Sequence, residues 1–195
     1  MRRLLKGWVE GRTGLWPGPG AGGGWAIVWL LLVGSTALRA EVSKEQQLKA
    51  ALLFNFTKFV EWSPASFPAP DSPLVIGVLG SRPFADEMEK VAKNRNVNGH
   101  KISVRKLQSP AGARGVHLLF VSASEDARLG ELRGTLRGAN VLTVGESDAF
   151  ARSGGVITFV IVGGKVRFDI NSAAAEQASV KISAQLQKLA RTVRK

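Results

Sequence analysis

Strands alternating with helices along the middle of the chain predict an α/β fold. We expect a three-layer sandwich with a mostly parallel central sheet, an antiparallel edge hairpin and helices on both faces. Three observations carry this. Leu74–Leu79, His117–Val121 and Val141–Val144 are short, almost uniformly apolar runs, the pattern of strands buried on both faces. Helical patterns separate several of these runs, which suits parallel pairing through crossovers. Gly163-Gly164 parts two β-rich runs, 156–162 and 165–170, and is a hairpin signal.

The elements follow in order. Residues 1–24 carry Arg2, Arg3, Lys6 and Arg12 against one acid, Glu10. The apolar run 25–33 comes next, then small residues from Gly34 to Ala40. A basic start, a short apolar run and a small-residue cleavage site describe a secretory signal peptide over 1–40, cleaved after Ala37 or Ala40. The run is too short for a bilayer, which takes roughly 20 residues. The competing reading is an uncleaved anchor extended through 21–38.

Residues 41–195 then form a single domain. Ser43-Lys-Glu-Gln46 fits a capping box that opens a helix reaching about Trp62. Leu48, Leu52, Phe59 and Trp62 fall on one stripe, with Asn55 as a polar residue on that same buried face. Ser63-Pro64 ends the helix, and four prolines between 63 and 73 make a stiff connector. After Leu74–Leu79, Gly80-Ser81-Arg82-Pro83 turns the chain into a helix to about Lys93. Asn98-Gly99 is a turn before the strand 101–107. Right-handed crossovers place 74–79 between 101–107 and 117–121. Ser124 is expected to cap a helix through Leu136, and one helical turn is expected around Ala149. Asn171 or Ser172 caps a short Ala-rich helix. The last helix spans 183–193, with Leu186, Leu189, Ala190 and Val193 inward and Arg191 and Arg194 outward.

Composition narrows function. The 195 residues are 45% hydrophobic and 22% charged, which are globular proportions. Residues 1–40 hold five of the 27 Lys and Arg and one of the 15 acids, so the mature chain keeps 22 against 14. In an exported protein this basic excess fits an anionic membrane surface, an acidic partner or an ordinary basic surface, and nucleic acid is not expected as a partner. There is no cysteine, so disulfides, thiolate nucleophiles and cysteine metal sites are impossible.

Catalytic signatures are missing. The two histidines, His100 and His117, have no His, Cys or carboxylate at ligand spacing, so no metal or cofactor is expected. His117, at a strand end, reads as a structural residue. There is no Gly-x-Ser-x-Gly elbow, and no Gly-x-Gly-x-x-Gly follows the Leu74 strand. The Gly/Pro-rich tract before residue 25 lacks a phosphate-loop Lys-Ser/Thr.

Two groups of candidate residues remain. Parallel sheets bind ligands beyond the carboxyl ends of their strands, where Ser81 and Arg82, Ser122 and Ser124, and Glu146 and Ser147 fall. These serines fit a ligand site or simple helix caps. The first helix has more apolar residues than one buried stripe needs. Asn55, Phe56, Phe59, Val60 and Trp62 are therefore candidates for partner binding, with Phe56 and Val60 expected on its exposed part.

Leu48-Lys-Ala-Ala-Leu-Leu-Phe-Asn-Phe-Thr-Lys-Phe-Val-Glu-Trp62 resembles the opening helix of the YfiR-like family. The run Leu74–Gly80 with Pro83-Phe84, then Asn98-Gly99, Val166–Asn171 and Ile182–Leu186, continue that resemblance in order over 44–192. It implies a periplasmic α/β sandwich, often dimeric, that represses an inner-membrane diguanylate cyclase by binding its periplasmic region. An outer-membrane lipoprotein relieves that repression by capturing the repressor. Some members are thought to bind small aromatic molecules near the segment matching Lys181-Ile-Ser183, which adds Lys181 and Ser183 to the ligand candidates. The best-known repressors carry disulfides; this chain cannot, so redox sensing does not carry over. The leading expectation is a regulatory binding protein in cyclic di-GMP signalling, not an enzyme. The alternative is a periplasmic small-molecule receptor without a cyclase partner, and an unrecognised hydrolase ranks last.

Overall fold

The structure is a computed structural model, and it describes residues 44–195. The expected signal peptide, its cleavage sites and the Ser43 cap lie outside the described residues. Among the described residues, no helix is long and apolar enough to cross a membrane.

Helix α1 spans 44–58, and β1, Val60–Glu61, follows it. Then come β2 (Leu74–Leu79), α2 (Arg82–Ala92), β3 (Asn96–Val97) and β4 (His100–Leu107). The second half holds β5 (Leu118–Val121), α3 (Leu129–Thr135), β6 (Leu142–Gly145), α4 (Asp148–Arg152) and the hairpin β7 (Ile157–Val162) and β8 (Lys165–Asn171). It ends with α5 (Ser172–Gln177), β9 (Lys181–Ile182), α6 (Ala184–Leu189) and β10 (Thr192–Arg194).

Eight strands form one mixed sheet in the order β10-β8-β7-β6-β5-β2-β4-β3. From β4 to β7 all neighbours are parallel, and β2 lies between β4 and β5 as the crossover rule requires. Alternation along the strands feeds two cores. Leu74, Ile76, Val78, Leu118 and Phe120 face one side, packed by α1, α2, α5 and α6. Val75, Leu79, Leu119 and Val121 face the other, under α3, α4 and the Pro110–Ala113 turn. These are the three layers expected.

Both hairpin turns rest on left-handed backbone. Asn98 and Gly99 have φ of 50° and 87°, and Gly163 and Gly164 have 56° and 69°. Asparagine and glycine tolerate this conformation, and it matches the twist of the flanking strands.

Four expectations are corrected. First, α1 stops at residue 58, not Trp62, and its buried face is rotated. Lys49, Leu53, Phe56, Thr57 and Val60 are buried, whereas Leu48 is 47% exposed and Asn55 is exposed. Leu52, Phe59 and Trp62 only border the core. Apolar residues ring this helix, so periodicity alone did not single out one face. Second, Ser124 is not a helix cap. The turn Ala123–Arg128 is a 3-10 helix preceded by Ser122, and α3 begins only at Leu129. Third, the last helix ends at Leu189. Leu189 is 62% and Val193 38% exposed, and Arg191 turns back to donate to both carboxylate oxygens of the buried Asp169 (Nε to Oδ1, 2.8 Å). Fourth, the hairpin is not the sheet edge, because β10 pairs in parallel with β8 beyond it.

Candidate functional site

The carboxyl ends of the parallel strands are filled by the chain itself. Glu146, just past β6, accepts from Lys49 Nζ at 2.7 Å and from Ser122 Oγ and the Ala123 amide, each at 3.4 Å. Lys49 also meets Glu45 at 2.6 Å. Burial alone would lower the Lys49 pKa, but hydrogen bonds to Glu146 and Glu45 outweigh it and hold the ammonium above its ordinary value. The carboxylate therefore sits at the strand ends, where a ligand site was one of the two readings, and the ammonium pins α1 to the sheet.

The strand-end serines are committed as well. Ser81 Oγ accepts from the Phe84 amide at 3.3 Å as the α2 cap. Ser124 Oγ donates to the Gly80 carbonyl at 3.1 Å and so ties the β5 loop to the β2 loop. Ser147 donates to Asp126 at 2.6 Å and caps α4 through the Phe150 amide. The structural role of these serines is thus visible in their bonds.

The remaining candidates meet at a second place. β1 and β9 form a two-stranded antiparallel sheet with Val60 opposite Ile182 and Glu61 opposite Lys181. The Ser183 amide donates to the Phe59 carbonyl at 2.9 Å, and Lys181 pairs with Glu61 at 2.7 Å. This clip joins the end of α1 to the Lys181 segment, 120 residues away. Ser183 also caps α6 through the Leu186 amide at 3.2 Å. Phe59 and Trp62 are half-buried here, whereas Lys181 and Glu61 are exposed. Phe56 and Val60, expected on the exposed part of α1, are each only 1% exposed. Phe56 packs its ring on Phe159 and Phe168, with centroids 5.7 and 4.9 Å away. Asn55 is exposed, so it needs no internal partner.

His117 lies in a third cluster. Its Nδ1 accepts from the Val75 amide at 3.0 Å, which places the proton on Nε2, 3.1 Å from the Ser66 carbonyl. Phe67 stacks between His117 and His100, with centroids 4.4 and 3.9 Å away. Trp62 Nε1 donates to the His117 carbonyl at 3.2 Å. Burial lowers the His117 pKa, and this outweighs the opposing bond to Ser66. Both ring nitrogens serve the fold, anchoring the Pro-rich connector to the sheet. Among the described residues, no three His, Asp or Glu side chains gather in a way that holds a metal ion.

Sequence reasoning missed the Lys49–Glu146 pair and the histidine–phenylalanine stack. A signal for the first existed: Lys49 lies four and eleven residues before Leu53 and Val60 on a helical stripe. A lysine on a buried stripe needs a carboxylate. For the stack there was none, since it joins residues 67, 100 and 117 from separate segments.

A family model described as YfiR/HmsC-like matches residues 46–191. Among solved structures, a conserved domain protein from Vibrio cholerae O1 biovar El Tor aligns with a TM-score of 0.48 at 13% identity, over 62% of this chain and 55% of that one. An ABC domain from Streptococcus pneumonia, solved in complex with L-Trp, aligns with a TM-score of 0.44 at 14% identity, over 61% and 54%. The chain thus spans about half the length of these two proteins. Likeness at this level bears on neither mechanism nor ligand. No curated protein matches the chain at a significant level.

Proposed function

The chain belongs to the YfiR/HmsC-like family, a family of regulators in cyclic di-GMP signalling, and we propose that it is an exported regulator acting by contact with a partner protein. The partner in this reading is the periplasmic region of an inner-membrane diguanylate cyclase, which the chain represses. An outer-membrane lipoprotein that captures the chain would relieve that repression. The observation that carries the reading is the family match over 46–191, nearly the whole proposed mature domain. The basic leader followed by an apolar run and small residues supports export. The bonding of His117 supports binding over catalysis, because an imidazole held at both nitrogens is not free to move a substrate proton.

The contact surface in this reading is the β1–β9 clip and the tip of the β7–β8 hairpin. The clip offers half-buried Phe59 and Trp62 beside the exposed Lys181–Glu61 pair. The tip offers Ile161 and Val162, 53% and 45% exposed. Aromatic and aliphatic anchors beside charged groups are the usual composition of a protein interface. The test is a pull-down of the tagged chain from periplasm and solubilised inner membrane, read by mass spectrometry. The reading expects a membrane protein with a diguanylate cyclase domain, and its loss on Lys181→Glu or Ile161→Asp. Recovery of nothing but the bait, together with unchanged cyclic di-GMP after gene deletion, overturns it.

A further inference from the structure

A groove of about 600 Å³ runs between α3, the start of β6, the Ser153–Val156 segment and α5, away from the clip and from the Glu146 network. Its apolar floor includes Leu132, Val141 and Phe150, each under 5% exposed. Its wall along α3 contains Gly130 and Gly134, one helical turn apart. Glycine inside a helix is destabilising relative to alanine, so it calls for a reason.

Packing within the chain supplies no such reason. A Cβ built at Gly130 or Gly134 meets nothing within 4 Å. Gly145 and Gly155 differ: a Cβ there would lie 2.4 and 2.0 Å from the Phe150 ring, so their bareness is explained by that ring. The two α3 glycines leave backbone open to the groove, which suits close approach of an occupant.

The charge on the groove says what kind of occupant. Arg133 and Arg137 line it, and no lining residue is acidic. One turn earlier, Arg128 pairs with Glu125 at 3.2 Å and Glu131 at 3.5 Å. The Arg133 and Arg137 guanidinium groups have no hydrogen-bond or ion-pair partner among the described residues; the Arg137 backbone amide donates to the Gly134 carbonyl. Arg133 lies in the last turn of α3 and Arg137 in the turn that follows it, so both cations border one groove, and an anion there would give each a charge-assisted hydrogen bond.

We propose that this groove binds a small organic anion. Its flat apolar body lies against the Gly130–Gly134 face and the Phe150 floor, and its carboxylate, sulfonate or phosphate meets Arg133 and Arg137. The site is independent of the partner contact proposed above, and either stands without the other.

Calorimetric titration of the full chain with 2-naphthoate tests it, beside 2-naphthamide, which removes the charge, and inorganic phosphate, which removes the apolar body. The expected result is saturable one-to-one binding of 2-naphthoate and at least tenfold weaker binding of the other two. An Arg133→Gln, Arg137→Gln double variant should weaken 2-naphthoate at least tenfold. Gly134→Leu, which fills the groove, should abolish binding, with circular dichroism checking that each variant folds. The arginine variant lies on the surface and suffices if Gly134→Leu does not fold. Absence of saturation up to about 5 mM, equal binding of the amide, or full binding by the double variant overturns the proposal. So does a dimer that Gly134→Leu disrupts in a chain that binds no 2-naphthoate, since a second copy would then be the occupant.

Discussion

Acid should weaken this fold through His117. The side chain belongs to a residue only 5% exposed, and its Nδ1 lone pair already receives the Val75 N–H. A second proton would set N–H against N–H between β2 and β5. Burial holds the folded pKa below the ordinary 6.5, so the unfolded chain takes up the proton first. Unfolding therefore binds a proton in the window from 6.5 down to the folded value. Stability is complete above 6.5 and falls as pH falls through that window, at no more than about 1.4 kcal/mol per pH unit for one group. Trp62 is the one tryptophan after residue 40, and its indole bonds the His117 carbonyl, so its fluorescence reports this region. The assay is urea unfolding of the leader-free chain from about pH 7.5 to about pH 5, compared with His117→Asn. The variant keeps an amide that cannot titrate. Truncation should cost it about 1–3 kcal/mol at neutral pH, from the unsatisfied Ser66 carbonyl and the lost stack on Phe67. It should, however, lose the His117 part of the slope below pH 6.5. An identical slope in both proteins would refute the reasoning.

Other outcomes follow from the packing and the ion pairs. Gly155→Ala forces a methyl into the Phe150 ring and should destabilise the chain by about 1–3 kcal/mol, read as a lower Tm; Phe150→Leu in the same chain should recover part of the loss. Arg191 holds the Asp169 carboxyl below its ordinary 3.8, so that contribution is present above 3.8 and lost as pH falls through the folded value. Arg191→Gln should move the Asp169 carboxyl titration upward by NMR, and no movement would place the cause elsewhere. A double-mutant cycle with Lys49→Met and Glu146→Gln should give a coupling above the ~0.2–1 kcal/mol of exposed pairs, because Lys49 is 9% and Glu146 23% exposed at the side chain. Additive losses would mean that the pair does not act as a unit.

The uniform strands Leu74–Leu79 and Leu118–Val121, the two glycine turns and the strand order around β2 were legible from residues alone. Each depends on local chemistry: burial on both faces demands apolar runs, left-handed turns demand Asn or Gly, and crossover handedness limits the order. The ordered resemblance over the same stretch pointed to the family for the same reason. What the sequence could not settle was which of two apolar stripes on α1 faces the sheet. That choice was made by Lys49 finding Glu146, 97 residues on, and by Phe56 finding Phe159 and Phe168. Likewise the last helix was cut short by Asp169, which draws Arg191 back, and by β8, which offers β10 a free edge. The meeting of Phe59 and Lys181 in one clip, and the filling of the strand-end crevice by Glu146, are likewise contacts between distant segments. Local propensity determined the elements; pairing of charges and rings brought together by the fold decided which faces are hidden and which remain to bind.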